Sequence, residues 1–367
     1  MNKPAVSVVI PCYNCEKWIR ECLDSVRNQT FADFEVICVN DGSTDETAAI
    51  LKEYAHGDPR FKVFYKENEK SPALTNKYGL EQTNGKYVYR LDSDDVISEN
   101  LLEEMYLAAE QRSADIVIPM LVQFHGSIPS TESVDQNQYG IENSFFFEDG
   151  RFLDKEDRLV VLSGRDAALL SLKWDIHARF LVLSEITHKV PLEEYGSHGD
   201  EFTARKWLLN GNRIVFSKGI YFYRQLPESY SHKAHITKFY LLENNYGLYT
   251  FCQENNFGIN YENYFLQNQC FLIYSNLLNL HTDLYNLSQT EKRKLRAYTK
   301  SYFQKLERGI SLTACYERGK NWSILQKCRR LLLRMPFFLR CFWLLDIYAL
   351  FEASIKSVIN SNRKKQK

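Results

Sequence analysis

Glycine and proline are scarce in this chain, 16 and 9 among 367 residues, too few for a fibrous or low-complexity protein. Net charge is missing too. Lys and Arg number 46 and Asp and Glu 46, which excludes a uniformly basic nucleic-acid binder and an acidic disordered tail. No nucleic-acid partner is therefore expected. No internal repeat is visible, and the amino end, Met1 to Ser7, runs into a strand pattern without the apolar region of a signal peptide. The nine cysteines, at 12, 15, 22, 38, 252, 270, 315, 328 and 341, are odd in number and scattered. A chain of this size needs no disulfide staples, so a reducing, cytoplasmic compartment is expected.

Core-forming residues, by contrast, are ample: 44% of the chain is hydrophobic and 14% aromatic. That content and length suit one large domain with an extension, or two domains. The charge is unevenly spread. Arg318 to Lys367 holds 12 Lys/Arg against 2 Asp/Glu, a local net of +10, which leaves −10 on residues 1–317. A basic end on an acidic body calls for a negatively charged surface as its partner.

The first third alternates strand and helix patterns. Val6-Ser7-Val8-Val9-Ile10 is an apolar, β-rich run closed by Pro11, and residues 16–29 place Trp18, Ile19, Cys22, Leu23 and Val26 at helical spacing. Glu35–Asn40 reads as a second buried strand that stops at the turn Asp41-Gly42-Ser43. Ser43 and Glu46, three apart, have the spacing of a capping box for the next helix. Strands follow at Phe61–Tyr65 and Tyr87–Leu91, with a strand-like Asp115–Ile118, and helical stretches at Leu74–Gln82 and Leu101–Gln111. Strands apolar on both faces, alternating with helices, predict a parallel sheet covered by helices. Beyond residue 120 the pattern loosens. Residues 124–158 are polar around Phe145-Phe146-Phe147, residues 165–186 pass from helix to strand through Trp174 and His177, and 214–224 read as a strand pair. Helices are expected from 237 to about 317.

In such α/β sheets ligands bind beyond the carboxyl ends of the strands. Two acidic clusters fall there: Asp41 after the second strand, and Asp92-Ser93-Asp94-Asp95 after the fourth. An isolated Asp-x-Asp is usually a solvated turn or a helix cap. Two acidic strand ends in one α/β pattern favour a hard divalent cation held against phosphate oxygens.

Val6-Ser7-Val8-Val9-Ile10-Pro11-Cys12-Tyr13-Asn14, Val39-Asn40-Asp41-Gly42-Ser43-Thr44-Asp45 and Leu91-Asp92-Ser93-Asp94-Asp95 closely resemble, in order and spacing, the family 2 glycosyltransferases. The resemblance is strong over residues 5–110 and weaker to about 230. It implies an α/β fold of the GT-A type, Rossmann-like with a mostly parallel sheet flanked by helices, and a helical C-terminal extension. It further implies a metal-dependent, inverting transfer of a sugar from a nucleotide-diphosphate sugar, UDP by family frequency, with Mn²⁺ or Mg²⁺ as cofactor. The acceptor would be a hydroxyl of a glycan or lipid-linked glycan, and the product a bacterial surface polysaccharide such as capsule or O-antigen.

By the same resemblance Pro11 and Tyr13 line the nucleoside pocket and Asp41 accepts a hydrogen bond from the base. Asp92 faces ribose and metal, and Asp94 ligates the metal. Where the family often carries Arg-Asn to hold the diphosphate, this chain reads Asn76-Lys77, so Lys77 is the nucleotide-sugar contact expected there, as a point charge instead of a planar fork. His198-Gly199-Asp200-Glu201-Phe202 resembles the family's base motif: Asp200 is the expected general base and Glu201 its alternative, the competing reading being first-turn acids favoured by a helix dipole. Tyr223-Arg224, with Ser229 and His232, resembles the segment closing over the donor phosphates. Arg224 is then a donor contact and His232 a contact to diphosphate or metal.

Two other function classes compete. Cys12-Tyr13-Asn14-Cys15 at a strand-to-helix junction fits a thiol–disulfide oxidoreductase, although no thioredoxin-like layout follows and no second pair completes a zinc site. A non-catalytic binding protein on a GT-A scaffold is the third reading.

The expected domains are 1–225, the catalytic domain; 226–317, helical; and 318–367, basic and amphipathic. Leu331–Phe351 is apolar but interrupted by Arg334, Pro336, Arg340 and Asp346, which argues against a helix spanning a bilayer. With Arg363-Lys364-Lys365 it suits a helix lying on an anionic leaflet, on the cytoplasmic face of an inner membrane, or else a helix packed on the body.

Overall fold

β1 (Val6–Cys12) and β2 (Phe34–Asp41) are buried along almost their whole length because their residues are apolar on both faces, and only a covered, central position satisfies such strands. The computed structural model describes residues 3–69, 71–131, 161–172, 176–192, 199–226, 239–282 and 287–305, with 347, 349, 350 and 353. Between the first strands lie α1 (Ile19–Arg27), burying Ile19, Cys22, Leu23 and Val26, and α2 (Thr47–Gly57). β3 (Phe61–Lys66) is only partly covered, as an edge strand should be. There follow α3 (Pro72–Glu81), β4 (Tyr87–Arg90), β5 (Val96–Ile97), α4 (Leu101–Arg112), β6 (Ile116–Phe124) and β7 (Val161–Leu162). The first unit closes with α5 (Gly164–Leu172), β8 (Leu181–Leu183), α6 (Ser184–Lys189), α7 (Gly199–Asn210) and β9 (Ile214–Arg224).

Among the described residues nine strands make one sheet ordered β3-β2-β1-β4-β8-β6-β9-β5, with β7 paired to β9. The half built from β3, β2, β1 and β4 is parallel, as the sequence predicts. The other half is mixed: β8 runs antiparallel to β4 and β6, β5 and β7 run antiparallel to β9, and only β6 and β9 are parallel. The structure corrects two further local expectations. Residues 214–224 are one strand instead of a pair; Ser217-Lys218-Gly219 is absorbed in a register shift against β6, between Ile118 and Met120. Gly219 is required there, since a Cβ would lie 2.8 Å from Leu101 Cα. The Ser43/Glu46 capping box is also not formed. Thr47 N–H donates to Asp45 Oδ1 (3.0 Å) and Glu46 N–H to Glu16 Oε2 (2.9 Å), while Ser43 Oγ accepts from Asn14 N–H (3.1 Å).

The chain divides into two compact units, Met1–Glu194 with Gly199–Ser229, and Tyr195–His198 with Tyr230–Lys367. The second contains α8 (Leu241–Glu254), α9 (Ile259–Leu280) and α10 (Gln289–Lys305) around Phe239, Leu242, Ile273, Leu277 and Leu295. Two of its buried amides are joined: Asn245 Nδ2 donates to Gln269 Oε1 (2.7 Å) and Gln269 Nε2 to the Leu242 carbonyl (3.1 Å). Among the described residues no helix is long and apolar enough to cross a membrane. Phe145–Phe147, Trp174, His198, Ser229, His232, residues 306–317 and nearly all of 318–367 lie outside the described residues.

Candidate functional site at the β1–β4 crevice

From β1 the chain runs outward to β2 and β3, then crosses back to place β4 on the other side of β1. This reversal opens a crevice at the carboxyl ends of β1 and β4, because the loops leaving the two strands part in opposite directions. Val9 is paired with Arg90 and Cys12 with Asn40. Leu91 N–H still donates to the Val9 carbonyl (3.0 Å) beyond the end of β4. The three motifs thus lie at the carboxyl ends of adjacent parallel strands, on one side of the sheet.

The loops there are tied together. Thr44 N–H donates to Asn14 Oδ1 (2.8 Å) and Cys15 N–H to Thr47 Oγ1 (2.9 Å). Asn14 has a positive φ of 47°, which its short polar side chain tolerates. So held, Tyr13 is 52% exposed, an aromatic residue open to solvent just past the end of β1.

Each carboxylate has different surroundings. Asp41 is buried and accepts from Lys66 Nζ (2.8 Å), which also reaches Glu69 (2.9 Å). Asp92 is half-buried and accepts through Oδ2 from Arg179 Nη2. Asp95 is fully buried and accepts from the Tyr221 hydroxyl and from Arg224 N–H (2.8 Å). Burial and its two carboxylate neighbours push Asp95 up, against those two hydrogen bonds. In Asp94 burial, then the charge of Asp92, pushes the carboxyl up to about 6.

Arg224 is buried, and its contacts are with the protein. Its Nε donates to the Asp94 carbonyl (2.8 Å), its Nη2 pairs with Glu21, and its guanidinium lies over the rings of Trp18 (4.6 Å) and Phe124 (4.7 Å). It braces the acidic turn. On α3, Asn76 is buried with its Oδ1 unpartnered, and Lys77 is exposed. Asp200 and Glu201 stand in the first turn of α7. Glu201 Oε2 pairs with Arg205 Nη1 (3.3 Å), and buried Arg205 also donates to the carbonyls of Glu201 (2.6 Å) and Ser171 (3.0 Å).

Among the described residues no three His, Cys, Asp or Glu side chains converge on a metal position. Asp92 and Asp94 are hard oxygen donors on one turn. Such a pair suits a cation that completes its shell from substrate phosphates and water, the usual habit of Mg²⁺. Cys12 and Cys15 are both buried. Burial pushes the Cys12 thiol well up, whereas Cys15 is lowered, chiefly by its hydrogen bond with Cys12. A buried, protonated Cys12 is a packing residue more than an attacking thiolate.

Sequence reading missed Lys66, Arg179, Tyr221 and Glu21. Arg179 carries no local signal. It arrives because β8 runs antiparallel to β4, with Leu181 opposite Tyr89, so residues just before β8 land where β4 ends.

Residues 7–168 match the model of Glycosyl transferase family 2. Glycosyltransferase GlyG of Streptococcus pneumoniae is 28% identical over 228 residues, 60% of this chain and 70% of that protein. Chondroitin synthase of Escherichia coli is 39% identical over 100 residues, 27% of this chain but 14% of that enzyme. Among solved structures, S. aureus TarS 1–349 in complex with UDP-GlcNAc superposes with a TM-score of 0.51 at 16% identity, covering 97% of this chain and 92% of that one. At that identity the likeness is one of fold.

Proposed function

We propose that this chain, whose residues 7–168 match Glycosyl transferase family 2, is a glycosyltransferase that carries out a metal-dependent, inverting transfer of a sugar from a nucleotide-diphosphate sugar to a glycan or lipid-linked glycan hydroxyl. What supports the donor side is that the segments carrying Pro11, Tyr13, Asp41, Asp92 and Asp94 all lie at the carboxyl ends of the adjacent parallel strands β1, β2 and β4. Tyr13 offers a flat face to the base, Asp41 an acceptor for its imide N–H, and Asp92 an acceptor for ribose hydroxyls. Asp94, with Asp92, would hold Mn²⁺ or Mg²⁺, which when bound neutralises charge gathering on the departing diphosphate. UDP-sugar is the donor we assign, on the family's habit.

On the acceptor side Asp200 takes the proton of the attacking hydroxyl. The acceptor oxygen bonds to the anomeric carbon as the bond from that carbon to the diphosphate oxygen breaks. The nucleoside diphosphate leaves with the electron pair, and a single displacement inverts the centre. Glu201 is the weaker choice because Arg205 already holds it as a paired carboxylate. The basic segment 318–367 supports a peripheral station on an anionic leaflet, near lipid-linked acceptors.

The test is a thermal-shift panel of UDP, GDP, TDP and their sugar conjugates, each with and without Mn²⁺ or Mg²⁺. A ligand that binds the native state alone raises the melting point by mass action. The expected outcome is stabilisation by one nucleotide class that needs the metal and vanishes in Asp94→Ala. No stabilisation of folded protein by any of them would reject the donor site.

A further inference from the structure

Two strong electrostatic demands meet in the crevice. Asp92, Asp94 and Asp95 stand within four residues, and the proposed donor brings a diphosphate to the same turn. A divalent cation answers part of that charge. The rest requires a fixed protein cation, since in a crevice of low dielectric unopposed negative charges are costly. Lys66, Arg224 and Arg179 stand on or beside these carboxylates. Lys66 stands at the nucleoside end, on Asp41 and Glu69. Arg224 is paired with Glu21 and enclosed by the rings of Trp18 and Phe124. Lys77, from α3, points to solvent.

Arg179 differs from all three. Its guanidinium pairs with Asp92 and donates through Nε to the Tyr221 hydroxyl (3.3 Å), which in turn donates to Asp95. Its side chain keeps 15% of its surface open. The backbone is fixed as well: Arg179 N–H donates to His177 Nδ1 (3.1 Å), and His177 Nε2 bonds the Pro119 carbonyl (3.0 Å). The fork is thus anchored from two directions at the carboxyl end of β4, by chain arriving from β8.

We infer that Arg179 is the fixed cation of the diphosphate subsite: braced against Asp92 and Tyr221, its guanidinium faces the phosphate oxygens of the bound donor. This rests on the donor site proposed above. A planar guanidinium suits the task, because it can hold a carboxylate along one edge while offering directed N–H groups to phosphate.

The experiment titrates the full chain, with Mn²⁺ present, with the nucleoside diphosphate found in the panel and with its monophosphate, and also titrates Mn²⁺ alone. In Arg179→Gln the diphosphate is expected to bind roughly ten- to hundredfold more weakly, the loss of a charge-assisted contact. The monophosphate should change by less than about twofold, and Arg179→Lys should fall between Gln and wild type. An equal loss for both nucleotides would make Arg179 a scaffold residue and overturn the inference. So would unchanged diphosphate affinity with tighter Mn²⁺ binding, which would mean that Arg179 only neutralises Asp92. Should Arg179→Gln not fold, Arg179→Lys decides, and an unaltered preference for diphosphate over monophosphate rejects the directed fork. A wild-type chain that binds neither nucleotide would instead sink the donor site itself.

Discussion

Asp41, Asp92, Asp94 and Asp95 are one residue type in four electrostatic settings. Lys66 compensates Asp41 and Arg179 compensates Asp92, a hydroxyl and a backbone N–H satisfy Asp95, and Asp94 is pushed up by burial beside a like charge. Their types and spacing are visible in the chain, but their partners are not. His177 is a similar case. Its Nδ1 accepts from Arg179 N–H, so the ring is neutral with its proton on Nε2, bonded to the Pro119 carbonyl. Burial, then the Arg179 charge, outweighs that carbonyl and pushes the imidazole down to about 4. The folded value lies below the unfolded one, so the unfolded chain takes up the proton first as pH falls. The stabilisation is full above the unfolded pKa, and is lost between there and about 4. Wild type should lose on the order of 1–3 kcal/mol more than His177→Gln across that window, read from urea midpoints. Parallel curves for the two proteins would remove His177 as the cause.

At the scale of elements, α3 can lie on the sheet only because residue 79 is glycine. A Cβ there would stand 2.5 Å from Val9 Cγ1 and 3.1 Å from Val39 Cγ2, on the strands whose ends form the crevice. Gly79→Ala should cost about 1–3 kcal/mol through overpacking, seen as a lower urea midpoint at unchanged slope. Gly57, at the end of α2, meets nothing within 4 Å, so Gly57→Ala should be neutral or slightly stabilising. Elements were legible in proportion to their patterning. β1, β2 and β4 are continuous apolar runs, easily seen. β9 was misread because Ser217-Lys218-Gly219 has the composition of a turn, and only the position of Leu101 beside Gly219 shows why a bulge forms there.

At the scale of the molecule, the crevice draws first on β1, β2 and β4, then on chain that returns much later: Arg179 before β8, and Tyr221 and Arg224 on β9. The proposed base, on α7, is later still than β8. On the proposed reading, transfer draws on both parts, while donor binding draws on the first and on Arg179. Asp200→Asn should keep metal-dependent donor stabilisation yet lose transfer by roughly two orders of magnitude or more, the usual share of a general base. Glu201→Gln should keep most of the transfer and lose stability instead, since Arg205 would be left with a buried, weakened partner. Full transfer by Asp200→Asn would remove it from the role.

The sequence by itself determined the parallel half of the sheet, the family resemblance of residues 7–168, and the order of the acidic strand ends, because each is written in local periodicity and short motifs. The tertiary structure alone decided the antiparallel entry of β8, the bulge in β9, and which arginine meets which carboxylate. Those depend on contacts between residues nearly ninety or more positions apart, Arg179 with Asp92 and Arg224 with Asp95, and no local pattern encodes a partner that distant.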